Sequence, residues 1–70
     1  MKIKRIKAKN VKAGNILYIK ELLNKGKVWE QKKEIKQIYK IGDEILTFNF
    51  VNGDYCFYDK NSFLNILLNN

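Results

Sequence analysis

The side chains with the clearest chemical potential in this chain are the cations of its first twelve residues. Ammonium and guanidinium groups spaced this closely attract phosphates through long-range fields and counterion release. A single arginine among lysines favours diffuse phosphate attraction over bidentate reading of base edges. The same charges would also protect an edge strand from pairing with other chains, and the pattern fits both roles equally well. The cations are Lys2, Lys4, Arg5, Lys7, Lys9 and Lys12.

Charge over the whole chain points in the same direction. The 70 residues include 14 Lys and Arg against 7 Asp and Glu, which gives a formal net charge of +7. Lys, Asn and Ile are abundant together, as an AT-rich genome would produce, so part of the lysine excess carries no functional information. We therefore expect a nucleic acid or nucleoprotein partner on electrostatic grounds, without a sequence motif.

Groups suited to catalysis are scarce. The chain has no histidine that could serve as a base for its single serine, Ser62, or its single cysteine, Cys56. The one adjacent carboxylate pair, Asp43 and Glu44, is typical of a turn, and the four glycines are too scattered for a phosphate-binding loop. A lone cysteine forms neither an internal disulfide nor a metal site. We predict that the protein is not an enzyme and holds no cofactor or metal.

Chain length predicts one domain, residues 1–70, close to the lower limit for folding without disulfides or metals. The lack of disulfides indicates a reducing compartment. The basic N-terminus lacks the apolar run of a signal peptide, and no segment approaches the roughly 18 apolar residues of a membrane span. We expect a cytoplasmic protein.

The dipeptide Asn52-Gly53 lies between two runs of alternating large side chains. Asn-Gly is the preferred sequence of a two-residue type I′ hairpin turn, because both central positions need positive φ. That turn places Phe48 opposite Phe57 on the same face of the sheet. The predicted core face then consists of Leu46, Phe48, Phe50, Tyr55 and Phe57, and the predicted outer face of Ile45, Thr47, Asn49, Cys56 and Tyr58.

The preceding turn is predicted at Gly42-Asp43. A loop with an even number of residues points Ile35 and Tyr39 inward. A three-residue loop would reverse this parity and bury Ile38 at the expense of the lysines beside it, and we prefer the even loop. The residues that the even loop points outward are Lys36, Ile38 and Lys40.

Residues 28–41, VWEQKKEIKQIYKI, fit two kinds of secondary structure. Val28, Ile35 and Ile38 fall on one stripe of a helix. The turn signal that precedes this segment and the narrowness of its apolar stripe favour strands, and we predict strands.

Closely spaced turn signals divide the chain into short extended segments, which is typical of an all-β protein. The predicted segments are a strand near 2–9, a hairpin-like excursion at 10–32, strands at 33–40, 45–51 and 54–59, a 3₁₀ turn at 60–63 and a last strand at 64–68. This order resembles the SH3-like small β-barrel, which implies five or six strands, a long first loop and a short 3₁₀ turn before the last strand. The stretch NVKAGNILYI is similar to a strand entry of small bacterial and phage-borne β-domains. Small barrels of this kind have many unrelated activities, so the resemblance does not indicate a function for this chain.

Two surfaces and one side chain form the candidate binding site. The first surface is the basic N-terminal segment, and the second is the predicted outer sheet face, whose lysines surround an aromatic and aliphatic centre. Trp29 would be a stacking platform or an interface anchor, although tryptophan in so small a protein is more often core. The candidate residues are Lys4, Arg5, Lys7, Lys9, Trp29, Lys33, Lys36, Lys40 and Tyr58.

These observations support three functional hypotheses. The first is a non-catalytic module whose basic surface binds nucleic acid or a nucleoprotein. The second is an inhibitor or adaptor encoded by a phage or mobile element, anti-CRISPR-like, that binds a host nuclease or another acidic protein surface through Trp29 or Tyr58. The third is a subunit that self-associates through the C-terminal strand FLNILLN.

Overall fold

The computed structural model describes residues 2–68, apart from the side chain of Asn24. Within that range the chain is all-β, as predicted, and residues 28–41 form a strand rather than a helix. Short 3₁₀ turns occur at Ala8–Asn10 and Asn24–Gly26, whereas the segment predicted as a 3₁₀ turn, 60–63, begins with an ordinary turn. The strands are β1 (Lys2–Lys7), β2 (Ile16–Leu22), β3 (Val28–Ile41), β4 (Ile45–Phe50), β5 (Tyr55–Asp59) and β6 (Phe63–Leu68).

The strands form one antiparallel sheet in the order β1-β6-β2-β3-β4-β5. The sheet is not closed, so β1 and β5 are its two edge strands. The predicted excursion at 10–32 contributes a sheet strand of its own, β2, and β3 begins five residues before the predicted position 33. The C-terminal strand β6 lies between β1 and β2. It is therefore an interior strand and not the edge that the self-association hypothesis requires.

The core lies on one face of this sheet. Phe48 of β4 is completely buried and packs against Tyr58 of β5, with ring centroids 5.6 Å apart. Apolar side chains from β2, β3, β4, β6 and residues 8–11 complete the cluster, and burial of their apolar surface is the main force that stabilises so small a fold. The buried cluster consists of Ala8, Val11, Leu17, Ile35, Phe48, Phe50, Leu64 and Ile66.

The hairpin between β4 and β5 differs from prediction by one residue. Phe48 lies opposite Cys56, not Phe57. The connection is longer than a two-residue turn because the Asn52 side chain accepts a hydrogen bond from the Asp54 N–H at 2.9 Å, an Asx turn. A shift of one residue reverses every side chain of the shifted strand. The predicted core face is therefore correct for β4 and wrong for β5: Cys56 and Tyr58 face the core, and Tyr55 and Phe57 face solvent.

The turn between β3 and β4 was also predicted with the wrong parity. Residues 42–44 form a three-residue loop, so Ile38 lies opposite Phe48 and packs against the core. Ile35 is nevertheless buried as well, because a β-bulge at Lys36 adds one residue between them. The bulge explains why apolar residues three positions apart, a helical spacing, both point inward from a strand.

The bulge and the odd loop also change the predicted outer face. Tyr39, predicted to be buried, is exposed on the outer side. Lys36 is exposed at the bulge, whereas Lys40 lies opposite Leu46 on the inner side. The lysine-rich sheet face expected from the sequence is therefore not formed as predicted.

Candidate nucleic-acid interface

Strand β1 and its neighbour β6 place two cations over an aromatic ring. Ile6 packs against the core opposite Leu64, so the side chains that alternate with it point outward. The Arg5 guanidinium carbon lies 5.0 Å from the centroid of the Phe63 ring, and Lys7 Nζ lies 5.8 Å from it. Both distances are within the range of cation–π attraction. We call Arg5, Lys7 and Phe63 the Phe63 cluster; its aromatic side chain is 54% exposed.

The cations of β1 form no ion pair with any other described residue. Two ion pairs occur among residues 2–68, Lys33 with Asp54 and Lys60 with Glu44, and neither involves β1. Lys4 is exposed on the side of the strand opposite Arg5. The described part of the chain therefore leaves these charges available for an external anion.

Two further candidate residues, Lys9 and Lys40, line the same cavity although they are distant in the sequence. The Lys9 N–H donates to the Lys60 carbonyl oxygen at 3.0 Å, which holds the 3₁₀ turn Ala8–Asn10 beside the end of β5. The cavity is open to solvent, has a volume of about 260 Å³ and is lined by three lysines, Asp43 and a floor of aliphatic side chains. Such a combination fits an anion with a flat or apolar body. The lining residues are Ala8, Lys9, Val11, Ile38, Lys40, Asp43, Leu46 and Lys60.

Two other candidates, Lys33 and Tyr58, are engaged in the fold. Lys33 is half-buried, with its Nζ 3.7 Å from Asp54 Oδ2 and 5.2 Å from the centroid of the Phe50 ring. Tyr58 packs on Phe48. Burial raises the pKa of its phenol, and the neighbouring Cys56 raises that pKa further. The one-residue shift of β5 is the reason that Tyr58 faces inward. Tyr58 was thus predicted on the wrong face, and Lys33 contributes to internal packing.

Trp29 belongs to a hairpin arm and not to the core. The hairpin of β2 and β3 extends beyond the core as an arm, and Trp29 lies near its end opposite Glu21. The side chain is 40% exposed, so the expectation of a core tryptophan is wrong. Other apolar residues are exposed around it, and Leu22 reaches 77%. We call this group the arm tip; it consists of Leu22, Leu23, Val28 and Trp29.

Sequence reasoning missed an exposed aromatic surface on the outer face of β3, β4 and β5. Tyr39, Thr47 and Phe57 lie side by side across these strands, and the Tyr39 hydroxyl donates to Gln37 Oε1. Tyr55 meets Phe57 edge to face, with centroids 5.6 Å apart. The hydroxyl of Thr47 is buried without a hydrogen-bond partner in the described structure. The correct register of the two hairpins would have located this surface.

The Cys56 thiol is half-buried and packs against the core. Burial is the largest effect on the Cys56 thiol and raises its pKa, against smaller opposing effects of Tyr58 and Lys33. The unreactive thiol is therefore favoured over the thiolate. Residues 2–68 contain no group of three or more His, Cys, Asp or Glu side chains placed to hold a metal ion. The same range contains no helix long and apolar enough to cross a membrane.

Comparison with known proteins found no match to this chain among family models, curated proteins or solved structures.

Proposed function

We propose that the protein is a non-catalytic module that binds nucleic acid through the outer face of β1 and β6. The observation that carries this proposal is the Phe63 cluster, in which an exposed ring lies beneath Arg5 and Lys7. A cation held over an aromatic ring is oriented at little further entropic cost. Proteins that bind single strands combine such cations for the backbone with flat groups on which bases stack.

Each part of the interface has a defined chemical task in this proposal. Arg5 and Lys7 neutralise phosphates on this face and release counterions, and Lys4, on the other side of β1, adds to the positive field. The guanidinium of Arg5, stacked on Phe63, offers its other face to a base. Because the contacts are to charge and to π-faces, binding tolerates many sequences.

The cavity beside the 3₁₀ turn Ala8–Asn10 supplies a second contact. Lys60 is already paired with Glu44, at 3.6 Å, which leaves Lys9 and Lys40 for a phosphate. The aliphatic floor accepts the sugar or base of one nucleotide. Lys9 of this cavity lies two residues along the chain from Lys7 of the Phe63 cluster, and in this proposal one nucleic-acid strand contacts both.

The finer architecture belongs to the same proposal. We assign the sheet to the SH3-like small barrels, with β1 as an additional edge strand. Support comes from the meander of β2 to β5 and from β6, which returns to pair with β2. This assignment identifies no function by itself.

The experiment that tests the proposal is a fluorescence-anisotropy titration of labelled single-stranded and duplex oligonucleotides over a salt series. The affinity should fall steeply as salt rises. In the variant Arg5→Gln/Lys7→Gln, the slope of log K against log salt for single strands should be smaller by about 1.4, roughly 0.7 per lost phosphate contact. The matched control Lys20→Gln/Lys27→Gln removes the same charge from the arm and should keep most of the wild-type slope. Absence of binding at low salt, or equal losses in both variants, would refute the proposal.

A second candidate function is supported by the arm tip. Leu22 and Trp29 are exposed at the end of a protruding hairpin, a position suited to insertion into a protein partner. This arrangement favours the inhibitor or adaptor hypothesis, in which a phage- or mobile-element-encoded protein binds stoichiometrically to a host protein. The variant Trp29→Ala separates the two functions when this titration is combined with a pull-down from host lysate at moderate salt. Nucleic-acid affinity should be unchanged by it, whereas an inhibitor would lose a complex that survives moderate salt.

A further inference from the structure

The edge strand β5 has a row of backbone groups that no described segment pairs. The Phe50 N–H donates to the Asp54 carbonyl oxygen, and the Lys60 N–H to the Glu44 carbonyl oxygen, both at 2.8 Å. The even-numbered residues at both ends of β5 therefore direct backbone groups toward β4. Because this direction alternates along a strand, the backbone groups of Tyr55, Phe57 and Asp59 point away from the sheet.

Of these outward groups, one is used within the chain. The Asp59 carbonyl oxygen accepts the Ser62 N–H at 3.0 Å. The N–H groups of Tyr55, Phe57 and Asp59 remain open, as do the carbonyls of Tyr55 and Phe57, since no described backbone group bonds to them. An alternating row of donors and acceptors is the pattern that another extended strand satisfies.

The side chains of β5 do little to prevent this edge from pairing with another strand. The strand YCFYD contains no cation, although one residue in five of the chain is Lys or Arg. Proteins commonly block exposed edges with lysine, because a charged side chain disfavours pairing with another strand. Phe57 is instead 56% exposed on the outer side.

The segment 54–60, DYCFYDK, is complementary to itself when two copies run antiparallel about Phe57. Phe57 then lies opposite Phe57 of the second copy, and Tyr55 opposite its Asp59. One residue further out, Asp54 lies opposite Lys60 of the second copy, so opposite charges meet at both ends. This register brings no like charges together, and like charges directly opposite would destabilise the pair.

We propose that two copies of this chain associate by antiparallel pairing of their β5 strands into one continuous sheet. The interface is isologous: each hydrogen bond between Asp59 N–H and the Tyr55 carbonyl of the other copy occurs twice. Two chains of charge +7 repel each other, but β1 takes no part in this pairing and β5 contains no Lys or Arg, so no cations of β1 lie directly opposite one another in the joined sheet. The dimer forms without nucleic acid and does not depend on the function proposed above.

Sedimentation velocity over a concentration series tests the dimer, with Phe57→Lys as the disrupting variant. This substitution places two lysines opposite each other and should raise the dimer dissociation constant at least about tenfold. The matched control is Ile3→Lys, the same kind of change at an exposed, outward position of the other edge strand. It should leave the dimer intact. A wild-type chain that stays monomeric at its highest soluble concentration, or equal dimerisation by both variants, would overturn the proposal.

Amide hydrogen exchange gives an independent readout of the pairing. At high protein concentration the amides of Phe57 and Asp59 should become protected, whereas those of Cys56 and Tyr58 should be protected at every concentration. Raising the salt should strengthen the dimer by screening repulsion, the opposite of its effect on nucleic-acid binding. If concentration changed protection at β1 instead of β5, the interface would be elsewhere and the proposal wrong.

Discussion

The two edge strands of the sheet, β1 and β5, have the same backbone geometry and opposite side chains. Four of the six residues of β1 are cations, whereas β5 has none. They also differ in their anchorage: β1 contributes only Ile6 to packing on the core, and β5 contributes both Cys56 and Tyr58. The comparison shows how side chains decide the use of an open edge. An edge rich in cations is available to solvent and anions, and a well-anchored edge without cations is suited to pairing with another strand.

The largest effect should come from the packing beneath β5. Phe48→Ala removes the ring on which Tyr58 rests and should cost about 3–5 kcal/mol, out of a total stability of about 4–10 kcal/mol for a chain of this size. Ile6→Ala, which removes the half-buried anchor of β1, should cost about 1–2 kcal/mol. Urea unfolding measures both free energies.

A variant that does not fold would leave no transition to measure, so Phe48→Leu serves as the milder change. It keeps an apolar group at the site and should still cost more than Ile6→Ala. Equal losses at the two positions would mean that β1 is anchored as firmly as β5, and the contrast between the edges would then rest on charge alone.

Much of the fold follows from the sequence because the apolar pattern of β4 is unambiguous. Phe48 and Phe50 could be placed on the core face with no knowledge of the rest of the chain. The faces of β3 and β5 depend on loop lengths, and a single residue decides them. Asn52-Gly53 favours a two-residue turn in general, yet here the Asn52 side chain bonds to Asp54 and stabilises a longer loop.

The residue types of the candidate site could be predicted from the sequence, but their positions in the structure could not. The cations of β1 could be identified from the sequence, but Phe63 is far from them in the chain and meets Arg5 only through the pairing of β1 with β6. Lys9 and Lys40 were both candidates, and only the tertiary structure brings them to one cavity. Tyr58 was assigned to the wrong face because an error of register at residue 53 extends along the whole strand.

Removing the positive charges of β1 should allow this edge strand to pair with β1 of another copy. In the variant with all four cations replaced by Gln, each chain would have two open edges that pair with copies of themselves. Two such interfaces on one chain do not close, so we expect species larger than a dimer, visible by light scattering as concentration rises. The substitutions are Lys2→Gln, Lys4→Gln, Arg5→Gln and Lys7→Gln.

The control for this variant carries the same loss of charge on the arm and its lysine-rich flanks. It should stop at the same size as the wild type, because neither edge is altered. If the β1 variant also stopped at that size, its lysines would not be what prevents pairing, and their role would be confined to binding anions. The control substitutions are Lys20→Gln, Lys25→Gln, Lys27→Gln and Lys32→Gln.

The smallest expected effect is the contribution of the inner side of β5 to a pH dependence that it shares with Tyr18 of β2, whose phenol pKa is also raised by burial. Burial raises the pKa of the Cys56 thiol above its ordinary value of 9.0 and that of the Tyr58 phenol above 10.0. In the unfolded chain both groups lose their protons at lower pH than in the folded chain. The stabilisation is therefore complete below pH 9.0 and is lost as the pH rises through the raised values. The free energy of unfolding, measured in urea at a series of alkaline pH values, should decline over this range.

The variant Tyr58→Phe isolates the contribution of β5 to that decline. It keeps the ring on Phe48 and removes the ionising hydroxyl, so the free energy of unfolding should fall less steeply above pH 10.0 than in the wild type. Tyr39→Phe, which removes an exposed hydroxyl on the outer face, should follow the wild-type curve. Because Tyr58 is half-buried and partly screened by solvent, the difference should be modest. Identical slopes in the wild type and Tyr58→Phe would show that β5 is packed too loosely to exclude water. The conclusion that β5 is anchored more firmly than β1 would then be wrong.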